Sequence, residues 1–256
     1  MQLEVKPVEL AEIGALRDLY RQEMNCQIVH DSWPRRGLVA PHLLCVDGKV
    51  AGYGTVTIGE VIEPGTVNEF YLLPSYRTHA IPLFRELLAN SNAATIRAQS
   101  NDTFLLLLLY DFAEGITSDT VLFHDAFTTH RVVPEAVFRK VTAEDGVRIF
   151  AHELEPVGDW LLEAAGSVVA TGGFLTHYNP PYADIFMEVA RPVQRRGYGS
   201  YLVQELKRVC YAAGKKPAAR CHASNTGSRK TLEKAGMLPC ARILLGRVNR
   251  AKVSAL

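Results

Sequence analysis

The segment Met187-Glu188-Val189-Ala190-Arg191-Pro192-Val193-Gln194-Arg195-Arg196-Gly197-Tyr198-Gly199-Ser200-Tyr201-Leu202 reads as a strand, a turn dense with backbone donors, and the start of a helix. Two glycines let the main chain come close to an anion. The first-turn amides and the positive dipole end of the helix would point at that anion. Arg195 and Arg196 can add charge-assisted hydrogen bonds. Together these features describe a cradle for a pyrophosphate. A Walker loop is absent, and the dinucleotide fingerprint fails at its third glycine, where Leu202 stands.

The neighbouring elements must hold this turn in place. Asp184 to Ala190 reads as a strand, and Ser200 to Ala213 as an amphipathic helix with Leu202, Val203, Leu206, Val209 and Cys210 on one side. Ala218 to His222 is a further strand. Asn225 is placed to cap a helix that runs to about Lys234 and stops at Gly236. Upstream, Ala136 to Val141 is a strand, Glu144 to His152 a short helical stretch, and residues 159–175 a hairpin turning at Ala165-Gly166. Thr120 to Phe123 and Thr128 to Val133 look extended, and Ala241 to Val248 is a last strand.

The same order occurs earlier in the chain. A helix is expected over Glu9 to Asn25, then a hairpin turning at Asp47-Gly48, a strand ending before Pro74, a helix over Ile81 to Asn90, a strand over Thr95 to Gln99 and a helix over Thr103 to Phe112. A shift of 118 positions lays Asp47-Gly48 on Ala165-Gly166, Pro74 on Pro192 and Arg77 on Arg195, and an insertion of six brings Asn101 onto Asn225. The pattern predicts a duplication, with domains at 1–132 and 133–256 separated near Pro134.

The 28 basic and 27 acidic side chains leave a net charge of +1, so no bulk charge draws the chain to nucleic acid or to an anionic membrane. Five cysteines at wide spacings, with no C-x-x-C, argue against disulfides or a zinc site and for a reducing, cytoplasmic setting. Met1-Gln2-Leu3-Glu4 lacks the marks of a signal peptide, and Leu105 to Tyr110 is too short to span a bilayer, which takes about 20 residues.

Gln194-x-x-Gly197-x-Gly199 resembles the Q/R-x-x-G-x-G/A loop of the Gcn5-related N-acetyltransferase (GNAT) superfamily. Asn225 followed by a helix ending in Lys234-Ala235-Gly236-Met237 resembles that family's second motif. The resemblance implies an α/β (α+β) fold of two tandem GNAT-like domains, each with a mixed, mostly antiparallel sheet, a splayed central strand pair and flanking helices. It implies acetyl-CoA as donor and no metal. Cofactor contacts are expected from Val189, Ala190, Arg191, Gln194, Arg195, Arg196, Gly197, Tyr198, Gly199, Ser200, Asn225 and Ser228. Asn225 is also expected near the reaction centre.

Glu188 is the first candidate for proton acceptor, since its apolar neighbours Phe186 and Met187 would raise its pKa. Asp184 and His222 follow. Where family members often carry a general-acid tyrosine, seven residues after the asparagine, this chain has Leu232. The corresponding loop of the first half, Leu73 to Pro82, lacks glycine and carries Pro82 where an amide is needed. A degenerate copy that does not bind coenzyme A is therefore expected there. Trp33, Tyr53, Tyr71, Tyr178 and Tyr182 are candidates to line an acceptor pocket. Three functions compete: an acetyltransferase on a small-molecule amine, an acetyltransferase on a protein N-terminus or lysine, and an acyl-CoA sensor without turnover. A homodimer stays open.

Overall fold

The computed structural model describes residues 1–59 and 63–255. The chain runs β1 (Leu3–Pro7), a 3-10 turn (Leu10–Ile13), α1 (Gly14–Glu23), α2 (Ser32–Arg35), β2 (Val39–Val46), β3 (Lys49–Thr57), β4 (Thr66–Leu72), a 3-10 turn (Pro74–His79), α3 (Ala80–Asn90), β5 (Thr95–Gln99), α4 (Thr103–Phe112) and β6 (Ala113–Asp125). It continues through β7 (Ala136–Lys140), a 3-10 turn (Ala143–Val147), β8 (Trp160–Ala164), β9 (Ser167–Leu175), β10 (Tyr182–Val189), a 3-10 turn (Arg191–Val193), α5 (Tyr198–Ala212), β11 (Lys216–His222), α6 (Thr226–Lys234), β12 (Met237–Val248) and α7 (Arg250–Ala255).

Two compact units result. One comprises Met1–Asp119 with Ala241–Leu256, the other Thr120–Cys240. This differs from the division at 132/133 expected from the sequence: β6 enters the second unit thirteen residues earlier, and most of β12 returns to the first.

The first unit's strands run in the order β1-β2-β3-β4-β5-β12. All pairs are antiparallel except β4–β5, which meet only at Thr66↔Thr95 and Val67↔Ile96. Phe70, Leu83, Phe84, Leu87 and Phe112 form the centre of one core, and Ile13, Tyr20, Ile28 and Tyr53 form another. The second unit has the order β6-β11-β10-β9-β8-β7. Its parallel pair is β10–β11. Its core gathers Leu202, Val203 and Leu206 of α5 with Phe123, Leu162, Ile185 and Leu232. Burying each such side chain contributes about 1.5–3 kcal/mol.

The repeated features match in detail. Both hairpins turn on two residues with positive φ, Asp47 (48°) and Gly48 (76°) in one unit and Ala165 (48°) and Gly166 (73°) in the other. That is the geometry of a type I′ turn, which suits the twist of paired strands. Pro74 is the first residue of its 3-10 turn and Pro192 the second of its own, and the residues that enter the turns have near-identical backbone, φ −53°, ψ 140° at Leu73 and φ −52°, ψ 130° at Ala190.

Two elements depart from expectation. The helical stretch over 144–152 shrinks to Ala143–Val147, closed by a reciprocal cap between Thr142 and Asp145; residues 148–159 are irregular. No strand forms over 128–133. There the Thr129 hydroxyl and the Arg131 N–H donate to Gln204 Oε1, at 2.8 and 2.7 Å, in place of a ladder.

Candidate functional site

β10 and β11 are paired only through Tyr182↔Lys216, Ala183↔Pro217 and Asp184↔Ala218. Beyond that point β11 turns its bonds to β6 over Ala218–His222, while β10 stays with β9 as far as Val189. The strands part, and a cleft of about 680 Å³ opens beside the separated stretch of β10. Met187, Glu188 and Val189 line it from the strand.

The turn after β10 forms the head of this cleft, lined by Gln194, Arg195, Gly197, Tyr198, Gly199 and Ser200. Arg195 has φ 64° and Gly197 φ 93°, so the chain passes through the left-handed region twice before α5 begins. The Gly197 carbonyl accepts the first helical bond, from the Tyr201 N–H at 3.1 Å. The amides of Tyr198, Gly199 and Ser200 precede that ladder and remain available as donors.

The two glycines serve different needs. A Cβ on Gly197 would meet nothing within 4 Å, and its backbone angle is what demands glycine. A Cβ on Gly199 would lie 3.1 Å from Thr231 Cγ2 and 3.3 Å from both Met187 Cε and Val189 Cγ2. Gly199 therefore lets α5 pack tightly against β10 and α6, a role separate from contact with a ligand.

The opposite wall is α6. Asn225 Oδ1 accepts the Ser228 N–H at 2.9 Å and so caps the helix. Thr226, Gly227, Lys230, Thr231 and Lys234 recur at helical spacing and face the cleft. Two ammonium groups, an Arg195 side chain and the amides at the start of α5 thus surround one end, a set suited to a polyanion.

Glu188 differs from expectation. Its carboxylate accepts the N–H groups of Glu153 (3.0 Å), Leu154 (3.1 Å) and Glu155 (3.0 Å). Burial pushes its pKa up, but these donors outweigh it, and the group is held below the ordinary glutamate value. The expected raised pKa is thus corrected: the apolar neighbours are there, but three amides converge on the side chain. Asp184 is nearly buried and ion-paired with Arg220 Nε at 3.2 Å. His222 Nδ1 contacts the Ser224 hydroxyl at 2.6 Å and its N–H at 3.2 Å. Neither Asp184 nor His222 lines the cleft.

Residues 124–237 match the profile of the acetyltransferase (GNAT) family. That stretch is a GNAT domain. Solved structures agree on the fold. A GNAT-family acetyltransferase from Colwellia psychrerythraea has a TM-score of 0.75 at 15% identity, covering 96% of this chain and 100% of that one. A GCN5-related N-acetyltransferase from Sphaerobacter thermophilus gives 0.58 at 15% identity, over 96% and 95%. A tandem GNAT protein from the clavulanic acid biosynthesis pathway gives 0.57 at 13% identity, over 97% and 99%. No curated protein matches the sequence.

Within this GNAT domain the cleft gathers Glu188, Val189, Gln194, Arg195, Gly197, Tyr198, Gly199, Ser200, Asn225 and Ser228, all expected from sequence. Ala190, Arg191 and Arg196 are not among its lining residues. Arg191 is paired with Glu153, the Ala190 N–H donates to the Val169 carbonyl, and Arg196 borders a separate hollow beside residues 129–133.

Sequence reasoning missed Leu154, Glu155, Lys230 and Lys234. The lysines carried a usable signal in their i, i+4 spacing on a helix already placed beside the site. The aromatic candidates lie elsewhere: Tyr53 and Tyr71 are buried in the first unit's core, Trp33 stacks with Arg97, and the Tyr178 hydroxyl bonds Arg220. Among the described residues there is no cluster of three metal-ligating side chains, and no helix is long and apolar enough to cross a membrane.

Proposed function

We propose that the second unit binds acetyl-CoA in the cleft between β10 and β11 and passes the acetyl group to a primary amine, directly and within one ternary complex. The observation that carries this reading is the early end of the β10–β11 ladder. It leaves the Ile185–Val189 edge of β10 without a partner strand, next to the donor-rich start of α5. An extended pantetheine arm fits an edge of that kind, since it can bond to the strand as a further strand would. The pyrophosphate belongs with the amides of Tyr198, Gly199 and Ser200, and Arg195, Lys230 and Lys234 supply the counter-charge.

The bound thioester supplies an activated acyl group. The chain's own task is to hold the amine near it, which replaces a bimolecular encounter by a positioned one. A strand N–H near Val189 would polarise the carbonyl. The acceptor is proposed to be a small molecule.

A second reading follows from Leu232. It stands where a general-acid tyrosine is expected and is buried in the core, so that position holds no proton donor for a leaving thiolate. A domain that binds acyl-CoA without turnover would tolerate this; an enzyme would rely on the acidity of the thiol, whose pKa is about 8.5. Calorimetric titration with acetyl-CoA, followed by thiol release with a panel of amines, decides between them. Binding with turnover supports the transferase; binding without turnover on any amine supports the sensor. No binding removes both.

A further inference from the structure

We propose that Glu155 takes the proton from the acceptor amine and that Glu188 is the residue that positions it. This assignment rests on the acyl-transfer reading above.

The two carboxylates have divided their work. Both oxygens of Glu188 are occupied by main-chain donors from residues 153–155, one of them the N–H of Glu155 itself. The Glu155 carbonyl accepts from His152 Nδ1 at 2.8 Å, and His152 Nε2 is hydrogen-bonded to the hydroxyl of buried Thr171 at 2.9 Å. The backbone of Glu155 is therefore held on both sides. Its side chain lines the cleft, and among the described residues no hydrogen bond or ion pair engages its carboxylate. A held backbone with an unengaged carboxylate at the wall of an acyl-donor cleft is what proton acceptance requires.

The charged groups around it come from three places: Glu188 on β10, Arg220 on β11 and His152 in its own segment. Glu155 is exposed at the cleft wall, and the partial desolvation it meets there pushes its carboxyl up; Arg220 pulls it down, Glu188 pushes it up and His152 pulls it down, and the net shift is upward. Glu188 is shifted the opposite way. Two neighbouring carboxylates driven apart in this manner mark different roles.

The step balances as follows. The acceptor arrives as R–NH3⁺, and the Glu155 carboxylate takes one proton to become a carboxylic acid. The freed nitrogen lone pair forms the C–N bond at the thioester carbonyl, and the C–S bond breaks. The second nitrogen proton ends on the departing sulfur, giving the free thiol, and Glu155 returns its proton to water.

The test is thiol release by the full chain, with the best amine of a panel, across pH 6–10, for wild type, Glu155→Gln and Glu155→Ala, with acetyl-CoA binding measured in parallel. Glu155→Gln is expected to lower kcat/KM at pH 7 by roughly 10²- to 10⁴-fold with acetyl-CoA affinity unchanged. Its activity should then climb about tenfold per pH unit toward the pKa of the amine, about 10.4 for a lysine-like acceptor, because free amine becomes abundant without a base. Wild-type turnover with an unaltered rate and pH profile in Glu155→Gln overturns the assignment alone. A wild-type protein that releases no thiol with any amine overturns the acyl-transfer reading and this assignment together.

Discussion

Asp102 and Asn225 hold the same station in their respective units. Asp102 has φ −87° and ψ 79° and accepts the Leu105 N–H; Asn225 has φ −81° and ψ 75° and accepts the Ser228 N–H. Each caps the helix that follows the inner parallel strand. The alignment that placed Asn101 against Asn225 is thus one residue out, and the insertion between the two halves is five residues long. The cap, more than the residue name, is what the two halves share.

A stability prediction follows. Asp102 is buried, and burial is the main reason its pKa rises from 3.8 to about 6, against the pull of the Leu105 N–H and the Tyr20 hydroxyl. Its folded pKa lies above its unfolded one, so its favourable contribution is complete below pH 3.8 and is lost as pH rises through 6. Asp102→Asn keeps the cap geometry, as Asn225 demonstrates, and removes the titration. The variant should be more stable than wild type at pH 8 by on the order of 2 kcal/mol, and the advantage should fade as pH drops below 6. Urea unfolding at both pH values measures this. Equal stability at pH 8 would mean the carboxylate is better solvated than its burial implies.

Arg17 offers the contrasting case. It donates to both oxygens of Glu69, at 2.7 and 2.8 Å, and to Asp31 at 2.9 Å; its side chain is 4% exposed and the two acids 0%. Replacing it by methionine keeps much of the volume and leaves two buried carboxylates without their central cation. Arg17→Met should cost about 3–5 kcal/mol, read from the denaturant midpoint of the first unit. A loss below about 1 kcal/mol would show that Arg21 and Arg35, which also reach Asp31, are enough to hold the cluster.

Gly197→Val and Gly199→Val should each weaken acetyl-CoA binding at least about 100-fold, by different routes. At Gly197 the side chain would enter open space, so the fold should survive; the strain falls on a left-handed backbone, at about 1–2 kcal/mol, and the loop is expected to relax away from its donor geometry. At Gly199 the added carbons meet Thr231, Met187 and Val189, which should push α5 off β10 and lower thermal stability as well. Arg77→Ala should leave affinity unchanged, because Arg77 is paired with Glu23 and lies in a turn without a left-handed residue. Calorimetry on the three variants separates these outcomes; tight binding retained in both glycine variants would remove the α5 start from the site.

What could be read from sequence was local. The helix over Thr103–Phe112 was legible despite its leucines, and the Gly197 loop, the Asn225 cap and the turn at Asp47-Gly48 declared themselves through residue types that suit those conformations; the turn at 165–166 was marked by Gly166 alone, since Ala165 takes φ 48°. The state of Glu188 was not legible. Phe186 and Met187 beside it suggested a dry, raised carboxyl, but its partners are amides 33 to 35 positions upstream, just past the helical stretch expected to end at His152, where no element was assigned. Glu155 was hidden for the same reason: once residues 148–159 are irregular, no periodicity assigns them a face. Strand and helix boundaries shifted by up to seven residues, most at the start of β6, where Ala113 opens a strand expected from Thr120; local pattern marks the centre of an element better than its ends.

The Glu188 clamp is directly measurable. Glu188→Ala removes the acceptor of three main-chain donors, and hydrogen exchange at the amides of Glu153, Leu154 and Glu155 should speed up about tenfold or more. Glu188→Gln, which keeps one strong acceptor oxygen, should fall between. The pH dependence has a definite sign: with its folded pKa held below 4.5, the carboxylate protects these amides fully above pH 4.5 and releases them as pH falls through the lower folded value. The wild-type to Glu188→Ala protection ratio should therefore be flat above pH 5 and collapse toward one in acid. Since this segment carries Glu155, the same Glu188→Ala variant should lower kcat for thiol release more than it weakens acetyl-CoA binding. Equal exchange in wild type and variant would separate Glu188 from the segment and return it to the list of candidate bases.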